Sequence, residues 1–134
     1  MASNARDDPA AVATSFLREY DRWAQDGFAA ANMEDVSSLA SPGMVDGLKS
    51  DSYWYSRGEV RQVGSMAYSG LTVTRKDVDS ATVVVKVDAS GVTLTAEGDE
   101  IEFDQGQANQ LELFLIMDDK SSMWLVDQVQ ATRQ

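Results

Sequence analysis

With 134 residues, 43% of them hydrophobic and 25% charged, the chain has the size and composition of one ordinary globular domain, and no apolar run approaches the ~20 residues that span a bilayer. Twenty-two acidic against eleven basic residues give a formal charge of −11, which speaks against a nucleic-acid or anionic-membrane surface and calls for basic charged partners. The absence of Cys and His removes disulfides, thiolate nucleophiles, Cys-ligated metals, the commonest metal ligand and the commonest general base.

The opening MASNARDD is small and polar and shows neither the basic n-region nor the apolar h-region of an export signal. It is expected to be a flexible arm, residues 1–8, ahead of a single domain, residues 9–131. Asp8-Pro9 is a helix start, because Asp caps free N–H groups and Pro suits the first helical position. Ala13, Phe16, Leu17, Tyr20, Trp23, Ala24 and Phe28 then keep the spacing of one helical face, and Gly27 is where this helix is expected to stop. Asn32 is expected to cap a short second helix over Met33 to Leu39. Ser41-Pro42 repeats the cap-then-proline signal for a third, which carries Met44, Val45 and Leu48 up to the triplet Tyr53-Trp54-Tyr55.

From about Val60 the period changes to alternation and β-branched residues become dense, which predicts an antiparallel sheet. Ala81, Val83, Val85 and Val87 share one face of a strand, and Asp88-Ala89-Ser90-Gly91 has turn chemistry. Leu111, Leu113, Leu115 and Met117 alternate toward the polar loop Asp118 to Ser122, and Met123 to Asp127 opens the last strand. The fold class is therefore α+β, with N-terminal helices packed on a strongly curved antiparallel sheet.

The order of elements and the closing LELFLIMDDKSSMWLVDQV resemble the NTF2-like (cystatin-like, SnoaL-like) superfamily, in which a curved sheet forms a cone around a long N-terminal helix. The corresponding Trp-x-Val-x-x-Val here is Trp124, Val126 and Val129. The run GSMAYSGLTVTRKDVDSATVVVKVD is similar to the extracytoplasmic domains of actinobacterial lipoproteins and Mce-associated proteins. That resemblance implies a non-catalytic binding or assembly module of a bacterial cell envelope, behind a signal peptide or anchor, although a cytoplasmic location stays open. It implies no cofactor and no metal, a small apolar molecule held in the cone, and a protein partner in the envelope. The alternative is a small-molecule isomerase, cyclase or dehydratase of the SnoaL or ketosteroid isomerase type, using a pocket carboxylate and tyrosine.

Residue by residue, each candidate has a plain structural reading beside the functional one. Tyr53, Trp54 and Tyr55 either line the mouth of the cone, or one or two of them seal the edge of the core while the third lies on the surface. Tyr20 and Trp23, three apart on the first helix, either line a cavity or pack. Met66, with Met44, Met117 and Met123, gives adaptable surface for an apolar ligand or serves as core filler. Asp46, Asp51 and Glu59 supply the carboxylates of the enzymatic alternative, which needs one of them in an apolar pocket. In EGDEIEFD, the residues Glu97, Asp99, Glu100, Glu102 and Asp104 lack the spacing of a calcium loop and are read as a solvated face that blocks edge-to-edge aggregation. Val84, Phe114 and Ile116 break the polar face of the two longest strands and are candidates for a homodimer interface on the outside of the sheet.

Overall fold

The structure is a computed structural model that describes residues 7–101 and 109–132. Helix α1 spans Pro9–Gln25. Asp8 caps it by accepting from the Ala10 N–H at 3.0 Å, and the chain leaves it through Gly27 at φ +80°. Its buried stripe runs Val12, Ala13, Phe16, Leu17, Trp23, Ala24, and burying each large side chain of that stripe contributes roughly 1.5–3 kcal/mol. A 3₁₀ turn, Ala30–Asn32, and a single α turn, α2, Glu34–Ser37, follow. Asn32 therefore lies inside the 3₁₀ turn, and no side chain caps α2. Helix α3, Pro42–Arg57, begins where Ser41 accepts from the Met44 N–H, and it runs through the whole aromatic triplet. No Gly or Pro interrupts residues 48 to 57, so nothing stops the helix before Gly58.

Among the described residues seven strands come next, all paired antiparallel: β1 Val60–Val63, β2 Ala67–Lys76, β3 Ser80–Asp88, β4 Thr93–Ala96, β5 Asp99–Ile101, β6 Gln110–Asp118 and β7 Met123–Thr132. The helices-then-antiparallel-strands order makes this an α+β fold. The strands form a three-stranded sheet, β1-β4-β5, and a four-stranded sheet, β2-β3-β6-β7, so the expected antiparallel sheet is divided in two. The reason lies at one corner. β1 and β2 are consecutive pieces of one arm, β3 and β4 of the other, and Val63↔Thr93 continues the register of Ala67↔Asp88 to within one residue. Between these pairs the ladder breaks at residues 64–66 and 89–92. The two turns press together there, so that a Cβ added to Gly64 would run into the Gly91 carbonyl.

The four-stranded sheet faces the helices with Ala81, Val83, Val85, Leu113, Leu115, Trp124 and Val126, all buried. On the other side lie Val84 and Phe114, half-buried, and Ile116, 36% exposed. The uneven spacing of Trp124, Val126 and Val129 has a cause in the ladder. Phe114 pairs with Gln128 and Leu115 with Val126, so Asp127 is an extra residue that restores Val129 to the inner face. The bulge also docks the start of α3. Asp127 accepts from the Ser41 hydroxyl at 2.6 Å, and Val126 exchanges backbone hydrogen bonds with Leu39 and Ser41. Of the acidic run, Glu97, Asp99 and Glu100 are exposed, whereas Glu102 and Asp104 lie outside the described residues, as do residues 1–6 of the expected arm.

Gly64 has φ +88° and backbone against it, whereas Gly98 has φ +87° with open space around it. In urea denaturation, Gly98→Ala is expected to cost about 1 kcal/mol from backbone conformation, and Gly64→Ala about 3 kcal/mol because strain and overlap add. Equal losses would show that the corner yields freely.

Candidate functional site

A ladder of rings leads from the core to the surface where α1 meets α3. Phe16 and Tyr20 have centroids 6.1 Å apart, Tyr20 and Trp23 5.6 Å, Trp23 and Phe28 5.0 Å, and Phe28 and Tyr55 4.8 Å. Spacing on α1 puts the first three on one face, but Phe28 joins them only because its backbone is left-handed, φ +59°, a strained setting for a bulky residue. Its carbonyl accepts from the buried Ser52 hydroxyl at 2.7 Å, which ties the end of α1 to α3.

Polar groups converge at the outer end of that ladder. The Tyr20 hydroxyl lies beside the carboxylate of Asp51, and the Tyr55 and Tyr68 phenols are close enough to Tyr20 to act on it electrostatically. Burial pushes the Tyr20 hydroxyl well above the ordinary phenol range, and the Asp51 charge adds to the shift. Tyr55 is raised for the same two reasons in the same order, while Tyr68 is raised by burial and then by Asp21. Desolvation likewise raises Asp51, against the opposing effect of the Tyr20 hydrogen bond, which favours its charged form. Tyr20 and Asp51 thus form a polar end to the ring ladder, with the Tyr55 and Tyr68 phenols within electrostatic reach of Tyr20 and with Tyr55 40% exposed.

The remaining candidates are distributed differently. Trp23 is 2% exposed, and its indole N–H donates to the Ala29 carbonyl at 2.9 Å, so its polar atom is already used. Tyr53 and Trp54 lie on the outside of α3, 52% and 68% exposed. Met66 is half-buried at the sheet corner, where its N–H donates to Asp21 at 3.2 Å. Asp46 and Glu59 are exposed and lie outside the Tyr20–Asp51 cluster. Sequence reading missed Tyr68, which joins Leu71 and Val73 on the inner side of β2 only because an extra residue bulges between Ser69 and Thr72, so alternation alone would have put it on the other face. It also missed Asp21, which carries no local signal, because its partners Gln62 and Met66 are more than forty residues away.

A shallow hollow of about 210 Å³ lies on the other side of α1, lined by Glu19, Asp26, Glu34 and Asp35 with Arg22 and the edge of Trp23. Its lining is mostly charged, and it does not suit an apolar guest. Among the described residues, no three acidic side chains are placed to hold a metal ion, and no helix is long and apolar enough to cross a membrane.

No family model and no curated protein matches the sequence. Solved structures similar in fold include the following two. One is the intermembrane-space region of the chloroplast protein ARC6, with 10% identity over 100% of each chain and a TM-score of 0.57. The other, from Novosphingobium aromaticivorans, is provisionally named an aromatic ring hydroxylase, with 9% identity over 98% of this chain and 96% of that one and a TM-score of 0.55. At such identities the likeness shows a shared fold and nothing of shared chemistry.

A carboxyl whose folded pKa lies above its unfolded value, 3.8, favours the fold most when protonated, and that contribution is lost as pH rises through the folded pKa. Asp51→Asn is therefore expected to gain in Tm relative to the parent between mildly acidic and neutral pH. Removing the hydroxyl with Tyr20→Phe should raise the Asp51 pKa further in a carbon-13 NMR titration. A fall would show that the hydroxyl does not stabilise the carboxylate.

Proposed function

We propose that the chain is a non-catalytic binding module of the NTF2-like superfamily that works in a bacterial cell envelope and holds a small, mostly apolar molecule. The observation that carries this reading is the convergence of Tyr20, Asp51, Tyr55 and Tyr68 at the end of the ring ladder. Apolar walls with a few converging polar groups are the usual composition of a small-molecule site. A guest with one hydroxyl or carbonyl would stack on the open Tyr55 ring and place that group among the phenols and the carboxyl. The envelope location rests on the resemblance of the β2–β3 segment to extracytoplasmic domains, and the similarity to an intermembrane-space region is compatible with it.

A second reading has its own support. A carboxyl raised by desolvation and paired with a phenol is the combination that moves protons at neutral pH, so Asp51 could serve an isomerase or a dehydratase as its acid–base group, with Tyr20 polarising the substrate.

Native mass spectrometry of the protein purified gently from its own host tests the first reading. A retained small molecule is expected, and Tyr55→Ala should lower its occupancy about tenfold, the loss of one ring contact worth roughly 1.4 kcal/mol. The bare 14.6 kDa chain and its multiples, with no adduct, would overturn it. If the retained molecule is converted by the parent protein and held unconverted by Asp51→Asn, the enzymatic reading takes its place.

A further inference from the structure

The outward stripe of α3 is divided into two unlike halves. Toward the N-terminus it offers Gly43, Gly47 and Ser50, and toward the C-terminus Tyr53, Trp54 and Arg57, all exposed. At 3.6 residues per turn these six fall within a sector of about 120°, together with the exposed Asp46. The second half forms a ridge. The Tyr53 ring meets Trp54 edge-on at 5.0 Å and lies under the Arg57 guanidinium at 4.8 Å, so the three side chains brace one another in solvent. The first half is a trough, since nothing lies within 4 Å of where a Cβ on Gly47 would be.

The stripe is also balanced in charge on a chain of −11, with Asp46 at its small end and Arg57 at its large end. A surface with ridge and trough, and acid and base, at opposite ends of one helix is complementary to itself when turned about a two-fold axis. We propose that α3 pairs antiparallel with α3 of a second copy, about an axis near Ser50. The Trp54 ridge of each copy lies in the Gly43–Gly47–Ser50 trough of the other, and Arg57 comes within reach of Asp46 in the second copy at both ends. Parallel pairing would set ridge against ridge and like charge against like. Balance matters here because two molecules of −11 repel, and a stripe that carries one acid and one base lets a second copy approach without adding acid to acid. A single helix pair is small for an interface, so the dimer is weak and dependent on concentration. Tyr55 faces Phe28 and takes no part, so the pairing stands or falls apart from the ligand site.

Sedimentation equilibrium with tryptophan fluorescence tests it. Trp23 and Trp124 are buried and Trp54 is 68% exposed, so a concentration-dependent blue shift reports Trp54 alone. A reversible equilibrium between 14.6 kDa and twice that mass, with the shift, is expected. Trp54→Glu should leave only monomer with an unchanged circular dichroism spectrum. Asp46→Arg and Arg57→Asp should each weaken association about tenfold, and the two together should restore it. Three outcomes would overturn the proposal: a monomer at every concentration, single exchanges that the double exchange fails to rescue, or a dimer that survives Trp54→Glu and is lost in Phe114→Glu. The last would put the contact on the outer face of the sheet.

Discussion

The backbone at residues 64–66 leaves the ladder of its own hairpin, and its polar groups must be satisfied from elsewhere. Helix α1 supplies the partners. Asp21 accepts from the Met66 N–H and from the Gln62 amide, and Gln25 donates to the Gly64 carbonyl at 2.8 Å and to the Ser65 hydroxyl at 2.9 Å. Gln62, buried though polar, also donates to the Gly64 carbonyl at 3.0 Å. The polar flank of α1 thus holds the corner while its apolar stripe fills the space inside the bend. Without that helix these donors and acceptors would turn to water, and the bent hairpin would lose the contacts that hold its angle.

Fixing α1 against the corner also fixes the site. Tyr20 precedes Asp21 by one residue, so the same anchoring that satisfies the hairpin aims the Tyr20 hydroxyl at α3. Tyr68 leaves the corner on the inner face of β2, close enough to Asp21 for that charge to raise its phenol. From the other side, Ser52 holds α3 to the Phe28 carbonyl and thereby sets the neighbouring Asp51 and the ring of Tyr55. A phenol and a carboxyl separated by thirty residues therefore meet through two independent attachments, one to the sheet corner and one to the end of α1.

What the sequence made legible follows from how local each cause is. The Asp8 and Ser41 caps were readable because cap and helix lie within three residues, and the Val83-Val85-Val87 face was readable because alternation is a property of one strand. The break between the two sheets was not, since it needs Gly64 and Gly91 to meet across a hairpin. The spacing of Trp124, Val126 and Val129 was visible as a pattern, yet its cause, the extra residue Asp127, lies in the pairing with β6. Asp51 stood among three carboxylates with nothing local to separate it from Asp46 and Glu59. Only its contact with Tyr20 and its removal from water distinguish it.

The aromatic triplet shows how one local pattern serves two environments. Three consecutive residues on a helix are spread over about 200°, so Tyr53, Trp54 and Tyr55 cannot all face one way once α3 continues to Arg57. Tyr55 turns toward Phe28 and the buried end of the ladder, whereas Tyr53 and Trp54 turn to solvent and find only each other and Arg57. The reading of the triplet as the mouth of the cone placed it between helix and sheet, after the helix had ended, whereas the reading that divides it between core and surface needs no such end. With the helix intact, the choice between core edge and ligand surface dissolves: the inward ring belongs to the polar cluster around Asp51. The outward pair is left with more apolar area in water than its mutual contact can cover.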